Sequence, residues 1–320
     1  MHVVVTGAAG FIGSHTCEAL VARGHRVTGV DAFDGYLYPA ELKRQTASEL
    51  ARLPADRFSL VEANICDVDA IERVLDGSVD VVCHLAALAG VRPSIASPLR
   101  YLRTNIEGTG VIIERMRALG LARLVFASSS SVYGARPGTS AAFREEDPCL
   151  APASPYAATK RMNELQLSTY RDLFGLGVFA LRFFTVYGPR QRPDMAIAKF
   201  TDAIARDQPI TLFGDGSSRR DYTFIADIVR GTVAAVEQVE PARYEIFNLG
   251  GTATVSLAEL VETIERVVGK RAIIDRQPDQ PGDVPITFAN VDRARAALGY
   301  APTTRLEAGV ASYWEWKQAR

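Results

Sequence analysis

The chain has 320 residues, of which 48% are hydrophobic and 23% are charged, and its formal net charge is −1. That length can bury a full core and indicates two domains or one large α/β unit. Because the charges nearly balance, neither a nucleic acid nor a membrane surface is expected as a partner. The cysteines and histidines are scattered without ligand spacing, which argues against a metal site. The chain starts on a predicted strand, with no leader-like segment or long apolar run, so a cytoplasmic location is expected.

The first 180 residues alternate β-branched runs with amphipathic segments. Helices are predicted at 11–23, 98–119 and 155–175, between runs that are typical of buried strands. Strands separated by helices favour βαβ units, and hence a doubly wound parallel sheet with helices on both faces. The predicted strands are "HVVVTG", "HRVTGVDA", "RFSLVEA", "VDVVCHLAA", "RLVFASS" and "GVFALRFF".

The alternation ends near residue 180, where glycine, proline and arginine accumulate in "VYGPRQRPDM" and "LFGDGSSRRDY". We therefore expect residues 1–180 to form the first domain, with 226–250 returning to it as a helix and a strand. Segments 181–225 and 251–320 are expected to form a smaller α/β lobe. The sequence shows no repeat or low-complexity tract, which argues against a solenoid or a disordered scaffold.

The first predicted strand runs directly into "TGAAGFIGSH". The glycines at 7, 10 and 13 would let the backbone approach a pyrophosphate, and the following helix would offer its free N–H groups to the phosphates. Asp31 ends the second predicted strand, where a carboxylate accepts both ribose hydroxyls of NAD and repels the 2′-phosphate of NADP. Glycines also mark ordinary turns, and the alternative for Asp31 is a surface turn residue. Together, Gly7, Gly10, Gly13 and Asp31 predict a dinucleotide site that favours NAD.

A second motif, "SPYAATKRMNE", begins with the helix-start signals serine and proline. Tyr156 and Lys160 should therefore lie one turn apart on one helix face. Upstream, "FASSSSVYG" ends an apolar run with four serines, at the strand edge where open α/β sheets bind ligands. Taken alone, the serines are typical of a polar loop, and the pair is typical of a packed tyrosine beside a snorkelling lysine.

The order of these motifs resembles the extended short-chain dehydrogenase/reductase family, and within it the NAD-dependent nucleotide-sugar epimerases and dehydratases. The resemblance covers essentially the whole chain, through "GAAGFIGSH", "SVYG", "SPYAATK", "RFFTVYGPRQRPDM", "RRDYTFIADI" and "QPGDVP". It implies a Rossmann-type NAD domain. It also implies cofactor contacts from the glycine turn and from Phe11, Ile12, Asn64, Ile65, Leu85, Ala86, Ala87, Asn105, Tyr156 and Lys160.

Acid–base chemistry explains why a tyrosine would stand one turn from a lysine. A free tyrosine has a pKa of about 10, which is too high for a base at neutral pH. A lysine ammonium and an oxidised nicotinamide are both positive, so both would favour the phenolate of Tyr156. Tyr156 is thus the expected base for a sugar hydroxyl, and Ser129 is expected to hydrogen-bond the same oxygen. By resemblance, Lys160 also holds the nicotinamide ribose.

The two residues after Ser129 favour epimerisation. By resemblance, 4,6-dehydratases carry an Asp–Glu pair there and decarboxylating relatives usually keep the glutamate, whereas this chain has Ser130 and Ser131. Without a carboxylate to drive elimination, the hydride returns to the 4-keto sugar, on the opposite face once the sugar has turned over. The expected reaction is inversion at C4 with NAD retained.

The nucleotide half of the substrate is implied by resemblance alone. Thr211 to Phe213 would contact uracil, Arg220 would reach the diphosphate, and Asp283 would reach the uridine ribose. An arginine fork suits a diphosphate in both charge and geometry. The alternative for Arg220 is a solvated loop residue.

The sugar is expected to be a uronate, by resemblance to UDP-glucuronate 4-epimerases. Gln280 and Thr185 replace the arginine and asparagine of many galactose-type epimerases, and Arg192 and Arg92 suit a C6 carboxylate. The 4-keto form of a uronate is a β-keto acid that loses CO₂ readily, so its carboxylate must be held out of alignment. Ser131 and Thr185 are candidates for that task. The alternative for Arg192 is a diphosphate contact or a structural role in its loop.

Other functions stay open from the sequence. They are a UDP-glucose/UDP-galactose 4-epimerase, a UDP-glucuronate decarboxylase or sugar dehydratase, and a non-catalytic NAD-binding regulator on the same fold. By resemblance, helices 98–119 and 155–175 pair across a two-fold axis, which predicts a homodimer. The alternative is that both helices pack only on the sheet.

Overall fold

Strands and helices alternate along the first part of the chain, as predicted. The structure is a computed structural model and describes residues 1–135, 141–251, 253–278 and 286–320. Its strands are β1 (His2–Thr6), β2 (Arg26–Asp31), β3 (Phe58–Glu62), β4 (Val81–His84), β5 (Arg123–Ser129), β6 (Gly177–Phe183), β7 (Thr185–Tyr187), β8 (Pro209–Phe213), β9 (Arg219–Arg220), β10 (Tyr222–Phe224), β11 (Tyr244–Leu249), β12 (Val255–Ser256) and β13 (Ile273–Gln277).

The helices fall between these strands, and many of them begin with a turn residue or a proline. They are α1 (Phe11–Ala22), α2 (Ala40–Leu50), α3 (Val68–Val74), α4 (Val91–Ala96), α5 (Pro98–Tyr101), α6 (Gly108–Leu119), α7 (Pro155–Phe174), α8 (Ala196–Ala205), α9 (Ile225–Gln238), α10 (Leu257–Val268), α11 (Asp292–Leu298) and α12 (Leu306–Gln318). Within the described ranges, none is long and apolar enough to cross a bilayer.

The central sheet has seven parallel strands in the order β11-β6-β5-β4-β1-β2-β3. Successive residues of β1 point to opposite faces, so Val3 and Val5 pack with α1 and α9 while Val4 packs with α3 and α6. Both faces are covered, which explains why these strands are continuous apolar runs rather than alternating ones. The predicted doubly wound α/β fold is confirmed.

The chain reverses its direction of sheet growth between β1 and β4. From β1 it adds β2 and β3 on one side, and β4, β5 and β6 on the other. A crevice opens at such a switch point, beyond the carboxyl ends of the strands, and ligands of open α/β sheets bind there.

The carboxyl-terminal segments build a second hydrophobic cluster. It is formed largely by α8, β8, α10 and α12, with Ile204, Leu212, Leu260, Ile264 and Tyr313 buried at its centre. Strand β11 instead adds in parallel to β6, at the edge of the central sheet. The chain thus leaves the sheet after β6, crosses the second cluster, and returns through α9 and β11.

The predicted helix 98–119 contains a π-helical turn at Leu102–Glu107. Inside this turn the carbonyl oxygen of Asn105 accepts hydrogen bonds from Thr109 Oγ1 at 2.7 Å and from Asn163 Nδ2 at 2.8 Å. Side chains that insert into the backbone ladder are a common cause of such irregularities. A pattern of apolar residues does not reveal this change in the helix.

A buried carboxylate joins α7 to the sheet. Glu164 accepts two hydrogen bonds from Arg182 of β6, both at 2.8 Å, and one from Ser128 of β5 at 2.6 Å. Glu164 and Arg182 are essentially inaccessible to solvent. Removing one member of such a pair leaves an unpaired buried charge, which typically costs about 3–5 kcal/mol. The pair therefore fixes how α7 lies along the strands.

Candidate active site

A cavity of about 500 Å³ lies at the carboxyl edge of the sheet, at the switch point between β1 and β4. Most of the residues that the sequence singles out line this one cavity. They are Gly7, Gly10, Phe11, Ile12, Gly13, Asp31, Asn64, Ile65, Leu85, Ala86, Ala87, Ser129, Ser130, Ser131, Tyr156, Lys160, Thr185 and Arg192.

The glycine turn is packed so closely that side chains would not fit. A Cβ atom on Gly13 would lie 2.0 Å from the carbonyl oxygen of Gly7, and one on Gly7 would lie 2.9 Å from the backbone nitrogen of Ala86. Gly7 also adopts a φ of 73°, which favours glycine. Gly10 caps α1 without a side-chain hydrogen bond, so the first N–H groups of the helix face the cavity without a cap. This cradle fits the pyrophosphate of a dinucleotide.

Asp31 lies at the end of β2 beside the glycine turn. Its carboxylate accepts hydrogen bonds from the backbone N–H groups of Ala9 at 3.0 Å and Phe33 at 2.8 Å. Each oxygen therefore has one backbone donor and keeps further lone pairs for ribose hydroxyls. Asn64 stands on the same wall, where its Oδ1 accepts from the N–H of Cys66. This carboxylate position fits NAD.

Helix α7 starts as the motif predicts. Ser154 caps it by accepting from the N–H of Ala157 at 3.1 Å, and Pro155 is the first helical residue. Tyr156 and Lys160 then lie one turn apart and both line the cavity. Lys160 Nζ donates to the carbonyl oxygen of Ala127 at 2.7 Å, which anchors the ammonium under β5.

Burial dominates the electrostatics of this pair. It raises the pKa of the Tyr156 phenol, while the Ser129 hydroxyl and the positive charge of Arg192 lower it. Burial also lowers the pKa of Lys160 to about 7, against the opposing charge of Glu164. From the sequence, Lys160 and an oxidised nicotinamide are expected to favour the phenolate. In the structure, Arg192 is a side-chain cation that lowers the pKa of Tyr156.

The sugar end of the cavity combines hydroxyls with one arginine. Ser129 Oγ accepts from the Ser131 hydroxyl at 2.9 Å and from the Ser131 N–H at 3.2 Å. Arg192 reaches the same cavity and forms a bidentate ion pair with Asp194 at 2.9 and 2.6 Å. The phenol of Tyr156, the serine hydroxyls and the guanidinium of Arg192 therefore line the same cavity.

Several predicted residues lie outside the described lining of this cavity. Asn105 uses its amide on the backbone of Leu88 and on Thr159. Arg92 stacks on the Phe213 ring, 4.9 Å from its centroid. Thr211 is exposed on β8, and Arg220 donates to the carbonyl oxygen of Arg219. Asp283 and Gln280 lie outside the described residues.

The segment that follows β2 was not predicted to take part in the site. Asp34, Leu37, Tyr38 and Lys43 line the cavity together with the predicted residues. Tyr101, from α5, meets the Tyr156 ring edge to face at 6.2 Å. The aromatic residues in "DGYLYP", which begins three residues after Asp31, are a sequence signal for this segment. Among the described residues, no group of three or more His, Cys, Asp or Glu side chains could hold a metal ion.

The lowered pKa of Lys160 makes the stability of the protein depend on pH. From about pH 7 up to the ordinary lysine pKa of 10.5, the unfolded chain binds a proton that the folded chain does not. The contribution of Lys160 to the free energy of unfolding therefore rises with pH in this window, and the cost of burying its charge is fully present below it. Between pH 7 and pH 9 we expect a gain of about 2 kcal/mol.

Lys160→Met should remove this gain, whereas Lys199→Met, on the exposed surface of α8, should keep it. Denaturant unfolding of the dinucleotide-free proteins at both pH values measures the difference. If the free energy of unfolding depends on pH equally in the wild type and in Lys160→Met, the buried ammonium does not cause the effect.

Comparisons with known proteins agree with this geometry. The chain is 40% identical to Protein CapI of Staphylococcus aureus, over 99% of this chain and 98% of that protein. It is 39% identical to a UDP-glucuronate 4-epimerase of Thermodesulfobacterium geofontis, over 99% and 96%. The UDP-glucuronic acid 4-epimerase of Bacillus cereus, solved with UDP-glucuronic acid and NAD, superposes with a TM-score of 0.93 at 38% identity, with both chains fully covered.

More distant structures share the same fold. The UDP-glucose 4-epimerase of Thermus thermophilus, solved with NAD, has a TM-score of 0.85 at 29% identity and full coverage of both chains. A model of the NAD dependent epimerase/dehydratase family matches residues 3–250, which include the glycine turn, Ser129, Tyr156 and Lys160. The chain belongs to the NAD dependent epimerase/dehydratase family.

Proposed function

We propose that the protein is a UDP-glucuronate 4-epimerase that interconverts UDP-glucuronate and UDP-galacturonate with resident NAD. The observation that carries the proposal is the arrangement of Tyr156, Ser129 and Arg192 around one cavity that also contains the glycine turn. It combines an acid–base pair, a dinucleotide cradle and a guanidinium for an anionic sugar. The relatives named UDP-glucuronate 4-epimerase support it at 38–41% identity.

Tyr156 and Ser129 perform the proton transfer at O4 of the sugar. The phenol, held by α7, takes the hydroxyl proton when C4 is oxidised and returns it when C4 is reduced. The Ser129 hydroxyl hydrogen-bonds the same oxygen as charge develops on it. When bound, NAD would supply the hydride acceptor and donor, and the positive charge of its oxidised nicotinamide would favour the Tyr156 phenolate further.

The residues after Ser129 then decide the outcome. Ser130 and Ser131 line the cavity as hydroxyls, so neither can act as the carboxylate base that elimination requires. The 4-keto sugar is therefore reduced again, and turning it over in the cavity inverts C4. These serines weigh against the decarboxylase and dehydratase alternatives.

Arg192 makes the site suitable for a uronate. Its side chain is largely buried in the cavity wall, where a guanidinium fork binds a carboxylate with two hydrogen bonds. Ser131 and Thr185 line the same cavity and offer further donors for holding the C6 carboxylate away from alignment with the C4 ketone. A neutral hexose would leave Arg192 without this interaction.

The uridine diphosphate is proposed to bind toward the second cluster. Arg92 stacked on Phe213, with Thr211 on the same strand, supports a place for an aromatic base at the end of β8. Arg220 on β9 remains the proposed diphosphate contact, and Asp283 remains the proposed ribose contact.

The cytoplasmic location expected from the sequence stays a prediction.

The substrate is tested by NMR of the purified protein, incubated separately with UDP-glucuronate and UDP-glucose, with and without added NAD. We expect UDP-galacturonate from UDP-glucuronate and at least a hundredfold slower conversion of UDP-glucose. That ratio follows from losing a bidentate charged interaction, about 3 kcal/mol, in a buried site. Tyr156→Phe is the control, and it should abolish turnover without releasing NAD.

Other products would change the proposal. UDP-galactose formed at a comparable rate would contradict the uronate preference but keep the 4-epimerase. A UDP-pentose would indicate decarboxylation in spite of the two serines. If neither sugar gives a product, the alternative of a non-catalytic NAD-binding regulator would be favoured.

We also propose that the chain forms a homodimer through α5–α6 and α7, the helices predicted to pair. Large apolar side chains on these helices are exposed, among them Leu99 at 78%, Leu165 at 54% and Leu173 at 67%. Exposed apolar residues concentrated on two adjacent helices are typical of an interface. The alternative, in which both helices pack only on the sheet, leaves these side chains without a partner surface.

Light scattering after gel filtration tests the dimer. The wild type should have about twice the mass of the 34.7 kDa chain, and the double variant Leu99→Glu, Leu165→Glu should have the mass of one chain. Leu150→Glu is the matched control, because Leu150 is 87% exposed but lies outside these helices. A wild-type protein of single-chain mass would contradict the proposal.

A further inference from the structure

The segment Arg192 to Met195 forms a tight turn that brings two opposite charges together. The carbonyl oxygen of Arg192 accepts from the N–H of Met195 at 3.2 Å, and Pro193 stands at the second position of the turn, which it favours. The turn sets Asp194 against Arg192, two residues apart. Oδ1 accepts from Nε at 2.9 Å, and Oδ2 accepts from Nη2 at 2.6 Å.

Asp194 approaches the guanidinium from outside the cavity. Arg192 and Met195 line the cavity wall, whereas Asp194 does not belong to the described lining. The positive charge of Arg192 lowers the pKa of Tyr156, Tyr38 and Tyr101, whereas the charge of Asp194 raises the pKa of Tyr38 and Tyr101. Asp194 occupies the Nε–Nη2 edge of the guanidinium, and a carboxylate in the cavity would then meet the edge that carries Nη1.

The backbone that carries Arg192 is anchored independently of Asp194. Arg190, two residues earlier, binds Glu18 of α1 at 2.7 and 2.9 Å and Glu49 of α2 at 2.8 Å. His15 of α1 contacts the carbonyl oxygen of Pro189 at 3.0 Å. Because these contacts hold the loop, the freedom left to Arg192 lies in its side chain, and Asp194 restrains that side chain.

We propose that Asp194 is a positioning residue that fixes the Arg192 guanidinium so that one edge faces the sugar carboxylate. This role rests on the proposed uronate substrate and goes beyond it, because it assigns the sugar selectivity to a pair rather than to Arg192 alone. Asp194 does not touch the substrate. It acts by holding the planar guanidinium of Arg192 in place. A guanidinium that is already ordered loses less conformational entropy when it binds the sugar carboxylate.

Asp194 also repels an incoming carboxylate, and this effect opposes the first. Its side chain is 33% exposed, so water screens its charge, and it lies on the Nε–Nη2 edge of the guanidinium rather than in the described cavity lining. The two short hydrogen bonds to the largely buried Arg192 are screened much less. The loss of orientation should therefore outweigh the relief of repulsion when Asp194 is removed.

The test measures binding without turnover. NAD-loaded protein carrying Tyr156→Phe is compared with the same protein carrying Asp194→Ala as well, by titration calorimetry with UDP-glucuronate, UDP-glucose and UDP. The expected Kd for UDP-glucuronate rises about tenfold, while the Kd values for UDP-glucose and UDP stay within about twofold. Unchanged UDP binding shows that the variant is folded and its nucleotide site intact.

Asp202→Ala is the matched control. Asp202 pairs with Lys317 at 3.0 Å and is 31% exposed, but it lies on α8 outside the described cavity lining. It should leave all three Kd values unchanged. Asp194→Asn, which keeps an acceptor for one of the two N–H groups, should fall between Asp194→Ala and the parent.

Three results would overturn the proposal. One is an equal loss of affinity for both sugars, and another is no loss for either. The third is tighter binding of UDP-glucuronate by Asp194→Ala, which would mean that repulsion dominates. In all three cases the parent protein, which carries only Tyr156→Phe, still prefers UDP-glucuronate, so the proposed uronate function stands. A parent that binds both sugars equally overturns the uronate preference and this role together.

Discussion

The site depends on one buried ionic contact, the bidentate pair between Glu164 and Arg182 with the Ser128 hydroxyl on the same carboxylate. It joins α7 to β5 and β6, and these elements carry the acid–base residues. Ser128 precedes Ser129, and Glu164 lies one turn after Lys160. Because the pair is essentially inaccessible to solvent, breaking it would cost several kcal/mol. A shift of α7 along the sheet would separate the Tyr156 phenol from the Ser129 hydroxyl.

The packing of α7 against β5 and β6 also sets the electrostatics of the site. Lys160 is held under β5 by the Ala127 carbonyl, and burial there brings its pKa to about 7. Arg192, on a different loop, is a cation that lowers the pKa of the Tyr156 phenol. The same guanidinium is proposed to bind the sugar carboxylate. Under this proposal, sugar selectivity and acid–base chemistry share one charged group, and Asp194 is proposed to fix its orientation.

Local features of the site were predictable from the sequence because each depends on a few neighbouring residues. The strand–glycine–helix turn needs only Gly7, Gly10 and Gly13, and the spacing of Tyr156 and Lys160 follows from helix geometry. The doubly wound parallel sheet followed from the resemblance and from the alternation of strands and helices rather than from any single residue. The family and the fold were therefore within reach of sequence reasoning.

Contacts between segments that lie far apart in the sequence were not predictable from it. The π-helical turn depends on Asn163, which lies 58 residues after Asn105. The stacking of Arg92 on Phe213 and the anchoring of Arg190 by Glu18 and Glu49 join residues that no periodicity relates. Even the nearby pairing of Arg192 with Asp194 depends on a turn whose direction is set by these contacts.

The central claim is that C4 of UDP-glucuronate is oxidised and then reduced with the same hydrogen. The most direct measurement follows UDP-glucuronate labelled with deuterium at C4, incubated with the protein in ordinary water and analysed by NMR and mass spectrometry. The account predicts UDP-galacturonate that retains the deuterium at C4. Product that carries a solvent hydrogen at C4, or inversion at another carbon, would contradict it.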